Sequence, residues 1–116
     1  MKKDKKIIMD NWASYAIAEL KEGREAKLCP KGHSMSGKIE SGDTVTVTPG
    51  IEPKKGDIVL CKVRGNVYVH LVLAINKDSY QIGNNRGHIN GWCSRNAIFG
   101  IVTKIVSSKQ KDKEKK

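Results

Sequence analysis

Ser34 and His70 are the residues whose chemistry would matter most if the fold brought them together. Ser34 stands in 32-GHSMSGKIESGDTVTVTP-49, between His33 and Met35, with Gly32 before it and Ser36-Gly37 behind. A serine hydroxyl is a poor nucleophile alone. It needs a neighbouring base, and backbone amides to hold the oxyanion that forms on attack. The flanking glycines let the backbone turn sharply and expose such amides. His70 stands in 67-VYVHLVLAI-75, which alternates with a period of two. Val67, Val69, Leu71, Leu73 and Ile75 share one apolar face, which must be core. His70 shares the other face with Tyr68, Val72 and Ala74, where a site is expected. A neutral histidine is the commonest general base near pH 7.

Other reactive residues carry less. Cys29, Cys61 and Cys93 make an odd count, and no export signal is expected from the opening residues, which together argue for free thiols. Cys29 and His33 could supply two zinc ligands, but no C-x-x-C or H-x-x-x-H pair completes a set. No metal and no cofactor are expected. Asp43 and Asp57 follow glycines just before strands, and their expected role is turn chemistry with local amides. Lys38 and Lys62 are expected to be solvated. Arg86, His88, Asn90 and Trp92 fall in 84-NNRGHINGWCSRN-96, a segment rich in Gly, Asn and Ser that reads as a loop. There an exposed aromatic with polar neighbours suits an extended peptide or a nucleotide base, or equally a plug at one end of a barrel.

The elements that must position these residues follow from periodicity. Residues 11–22 read as the one helix, capped by Asp10 or Asn11 and ended by Gly23, with Trp12, Tyr15, Ala16 and Leu20 on its packing face. Strands are expected at 26–30, 44–48, 58–64, 67–75, 79–83 and 97–105. A tight hairpin falls at Arg64-Gly65-Asn66, and a bulge at Gly100. The sum is a mostly β, compact domain with one short N-terminal helix.

The 116 residues suffice for one domain. No apolar run approaches the roughly 20 residues a spanning helix needs, so a cytoplasmic protein is expected. Of the net charge of +10, residues 2–6 carry +3 and residues 109–116 another +3. The expected organisation is a basic tail at 1–9, a β domain at 10–106 and a disordered basic tail at 107–116. Such tails are either solvated ends or a weak, salt-sensitive attraction to nucleic acid.

With its boxes in order, the chain resembles the LexA and signal peptidase type of serine peptidase. 32-GHSMSGKIESGD-43 resembles that family's G-x-S-M-x-P box with its downstream Gly-Asp. 56-GDIVLCKVRGNVYVHLV-72 resembles the box that begins at a Gly-Asp strand and ends on the catalytic base. 83-GNN-85 and 100-GIV-102 stand where the family has G-D-N-N and a closing G-x-V strand. The resemblance covers about residues 27–106. It implies a coiled β domain, a nucleophile at Ser34 and a base at His70. The base is a lysine in LexA-like members and a histidine in archaeal and endoplasmic reticulum signal peptidases. It further implies support or oxyanion roles for Met35, Ser36 and Asn84; from the composition of their own segment, Arg86 and Trp92 are expected to contact the substrate. Ser36-Gly37 replace the usual x-Pro, and Asn84 stands where histidine-using relatives carry an aspartate. The resemblance is to a small, soluble, stand-alone member, expected to be encoded by a phage or mobile element.

Three functions from different classes follow. The first is a soluble serine peptidase that cuts an extended peptide with a Ser34–His70 dyad. The second is a weak or inactive peptidase-fold module that binds and regulates a partner protein. The third is a basic nucleic-acid-associated protein.

Overall fold

The computed structural model describes residues 13–30, 35, 38–40 and 42–107. Helix α1 spans Ser14–Lys21. Its end is a Schellman motif: the Gly23 N–H bonds to the Leu20 carbonyl and the Arg24 N–H to the Glu19 carbonyl. Gly23 supplies the left-handed backbone this needs, at φ 87°. Ala13, Ala16 and Leu20 form the buried face, with Ile17 partly buried beside them. Tyr15, expected on that face, is 69% exposed. Its position is one residue off the stripe that Ala13, Ala16 and Leu20 define. Trp12 and the caps proposed at Asp10 and Asn11 lie outside the described residues.

Seven strands follow: β1 (Ala26–Leu28), β2 (Thr44–Thr48), β3 (Ile58–Val63), β4 (Asn66–Asn76), β5 (Ser79–Gly83), β6 (Ile89–Ser94) and β7 (Ile98–Val106). They form one sheet in the order β1-β2-β7-β3-β4-β5-β6, every neighbour pair antiparallel. Among the described residues the domain is therefore mostly β with one short helix, as expected. The strand β6 and the 3-10 turn Arg95–Ala97 correct the reading of 84–96 as a loop. Backbone pairing with β5 overrides the weak β propensity of Asn90, Gly91 and Ser94.

The β3–β4 hairpin turns through Arg64 and Gly65, at φ 52° and 86°, between the paired residues Val63 and Asn66. Two positive φ values in a two-residue loop match the right-handed twist of the flanking strands. The hairpin sets the register that places His70 opposite Val59.

Two cores lie on opposite faces of the sheet. The first joins α1, Met35, Ile39, Val45, Val47, Leu60 and Val69. The second joins Val59, Cys61, Val63, Val72, Tyr80, Ile82, Ile98 and Ile101. Neighbours such as Val59 and Leu60 serve different cores, which is why β3 reads as an almost unbroken apolar run. The Val67–Val69–Leu71 face does pack into the first core. Its continuation fades, and Ile75 is exposed. The face of His70 is not an open one, because the curled sheet covers it with the second core.

Gly100 marks a bulge, as anticipated: Leu60 and Cys61 pair with Gly100 and Ile98, leaving Phe99 as the extra residue. A Cβ at Gly100 would come within 2.6 Å of the Val47 Cγ1 and 2.9 Å of the Thr48 carbonyl oxygen. The carbonyl belongs to a neighbouring strand and cannot rotate away. Gly100→Ala should therefore destabilise the domain by about 2–3 kcal/mol, the upper part of the range for overpacking a tight interior. Urea unfolding measures this, and an unchanged midpoint would show that the two strands separate freely.

Candidate active site

Among the described residues, three contacts hold His70. Its strand places it opposite Val59 in the second core, and it is only 6% exposed. Tyr68, two residues earlier on the same face, stacks on the imidazole with ring centroids 4.8 Å apart and planes 20° apart. The third contact is polar: His70 Nδ1 lies 2.8 Å from the Asn90 Oδ1. An amide oxygen can only accept, so the ring carries its proton on Nδ1 and donates it to Asn90. The neutral ring then keeps its lone pair on Nε2, the form a general base needs.

A bulge delivers Asn90. Ile82 pairs with Gly91 and Gly83 pairs with Ile89, so one step on β5 matches two on β6, and Asn90 is the unmatched residue. Bulges bend a strand and re-aim a side chain, and they recur beside active sites. A second one sits on β4, where Val72 and Ala74 pair with Ile82 and Gln81 and Leu73 is left over. The ladder is thus irregular on both strands that carry the pair.

Burial holds the His70 pKa below the ordinary histidine value. The hydrogen bond to Asn90 works in the opposite direction, and the nearby His88 adds to the lowering. The imidazole is accordingly neutral at pH 7.

Asn84, expected beside His70, does other work. Its Oδ1 accepts the backbone N–H of Arg86 at 2.8 Å and of His88 at 3.1 Å. Its own N–H bonds to the His88 carbonyl. Asn84 therefore shapes the loop that leads into β6, while the side chain on His70 comes from Asn90. The sequence placed Asn90 in the same segment but gave it no part in supporting the histidine.

Met35 is buried in the first core. Its carbonyl accepts the N–H groups of Lys38 and Ile39 at 2.9 and 2.8 Å. The residue after Ser34 is thereby anchored both by packing and by a turn. Ser34 and Ser36 themselves lie outside the described residues. Asp43 and Asp57 bond to local amides as expected, through Glu40 N–H and Lys54 N–H at 2.8 Å each. Arg86 is exposed in the Asn84 loop, and Trp92 is 48% exposed on β6 opposite Gln81. Lys38 and Lys62 are exposed. Among the described residues, no cluster of three or more His, Cys, Asp or Glu side chains could hold a metal ion. No helix among them is long and apolar enough to cross a membrane.

A family model described as peptidase S24-like matches residues 15–100. The chain belongs to the peptidase S24-like family. No curated protein matches it. The matched span runs from α1 into β7 and includes Ser34, His70 and Asn90. Membership makes this a peptidase-fold domain, and it gives the buried, oriented imidazole a chemical context.

Proposed function

We propose that this S24-like domain is a serine peptidase in which Ser34 attacks the scissile carbonyl and His70 takes its proton. The observation that carries the reading is the 2.8 Å bond from His70 Nδ1 to Asn90 Oδ1. A buried histidine whose Nδ1 proton is committed to a fixed acceptor has the tautomer and orientation of a base, not only those of a packed ring. Its lowered pKa keeps it unprotonated at neutral pH. Met35 serves as the anchor for the nucleophile loop, and amides around Ser34, with the Ser36 hydroxyl, hold the oxyanion. The substrate is an extended peptide, with Arg86 and Trp92 as contacts on the β5–β6 side.

A second reading rests on the same pair. The partner of His70 is an amide, which orients the ring but does not stabilise an imidazolium as a carboxylate does. That favours a slow enzyme, or a module that holds a protein strand without cutting it.

Incubation of the purified chain with a broad peptide library, read by mass spectrometry, separates the two. The peptidase reading expects new termini with the wild type and none with Ser34→Ala. Cleavage that persists unchanged in Ser34→Ala would overturn the nucleophile assignment. Peptides retained by both proteins without cleavage would replace the peptidase with the binding module.

A further inference from the structure

Cys61 and Cys93 face each other across strands that are not ladder neighbours. β4 and β5 separate β3 from β6 in the sheet order, yet the curl of the sheet brings β3 and β6 into contact. A Cβ at Gly91 on β6 would lie 3.2 Å from the Val63 Cγ1 on β3. Two residues further along each strand, in opposite senses, stand Cys93 and Cys61. Cys61 is fully buried in the second core, and Cys93 packs against that core half-buried. Each thiol shifts the titration of the other, as near neighbours do. The dyad chemistry uses neither thiol.

We propose that Cys61 and Cys93 form a reversible disulfide that staples β6 onto β3, with a small-molecule disulfide such as oxidised glutathione as the oxidant. Cys93 is the reachable sulfur. The interaction with Cys61 holds its pKa below the ordinary thiol value, while the same interaction and burial push Cys61 up. The Cys93 thiolate attacks one glutathione sulfur, the glutathione S–S bond breaks, and one glutathione thiolate leaves. Cys61 then gives up its proton and attacks the Cys93 sulfur of the mixed disulfide, displacing the second glutathione. Two protein thiols are oxidised, one glutathione disulfide is reduced, and the two protons end on two glutathione thiols.

The staple reaches the candidate site from both sides. Asn90 lies three residues before Cys93 on β6, and Val59, opposite His70, lies two residues before Cys61 on β3. That consequence rests on the peptidase reading above; the disulfide itself does not.

The test uses the full chain, reduced and then incubated with oxidised glutathione. Free thiols are alkylated, and the protein is digested without reductant and mapped by mass spectrometry. The expected product is a peptide pair linked through Cys61 and Cys93. Cys29, exposed and 3.4 Å from the Thr44 hydroxyl on the β1–β2 side, stays outside the link. The closed loop of about 30 residues should raise the melting temperature by about 10 °C or more. Dithiothreitol should reverse the rise, and Cys93→Ser, a change at a half-exposed position, should lack it. Four results would overturn the staple: no reaction at Cys93, a product halted at a Cys93–glutathione mixed disulfide, pairing of either thiol with Cys29, or a linked protein with an unraised melting temperature. Peptide mapping and melting do not depend on turnover, so failure of the peptidase reading leaves this test intact.

Discussion

His70→Gln should lower kcat on a cleavable peptide by about 10³-fold or more, and Ser34→Ala by at least as much. The double mutant should be hardly worse than either single one, because a nucleophile and its base act as a unit. KM should change little in all three, since proton removal from Ser34 helps only the transition state. Glutamine is the informative replacement at a position only 6% exposed. It fills most of the imidazole volume and can still hydrogen-bond to Asn90, yet it is no base at neutral pH. Circular dichroism and melting of His70→Gln should therefore match the wild type while turnover disappears. Additive losses in the double mutant would mean that Ser34 and His70 work separately. A His70→Gln protein with full activity would remove the histidine from the mechanism.

Much of this arrangement was legible in the residues because the strands announce themselves locally. Thr44–Thr48 alternates cleanly, and Ser79–Gly83 is bounded by turn residues on both sides. The Arg64-Gly65 turn fixes the β3–β4 register through residues next to it in sequence. What escaped was written in non-local pairing. β6 carries Asn, Gly and Ser at positions that local propensity assigns to loop, and becomes a strand because β5 offers it a ladder. The support for His70 escaped for a related reason. Asn84 sits in the motif-like Gly-Asn-Asn and Asn90 six residues later, and only the bulge between Ile82 and Gly83 decides which one turns toward the imidazole. Nothing in the spacing shows that shift. The covered face of His70 was equally hidden, because alternation along β4 reveals two faces but not that the curled sheet encloses both.

Asn90→Asp should move the pH–rate profile upward, and Asn84→Asp should leave it in place. In the wild type the rate rises as His70 loses its proton. Burial holds its pKa below the ordinary value of 6.5, so the midpoint of the rise falls below that value. The stability dependence has the same origin. The unfolded chain, with the higher pKa, takes up the proton first. The His70 contribution is thus complete above about pH 6.5, declines as pH falls towards the lower folded pKa, and levels off beneath it. A carboxylate at position 90, at the 2.8 Å now occupied by an amide oxygen, favours the imidazolium. The midpoint should then rise by about 1–2 pH units. The plateau rate should increase by about tenfold, because the charge that forms on His70 during attack acquires a counter-ion. Asn90→Ala removes the Nδ1 acceptor and with it the tautomer preference, and should lower the plateau by about tenfold, the worth of roughly one hydrogen bond. At position 84 the carbonyl oxygen already serves two backbone N–H groups of its own loop. A carboxylate there accepts the same bonds and does not reach the ring through them. Rate profiles between pH 4 and 9, with NMR titration of the His70 ring in each variant, would decide the matter. A midpoint that moves with Asn84→Asp and not with Asn90→Asp would return the supporting role to Asn84 and leave the bulge on β6 without a catalytic purpose.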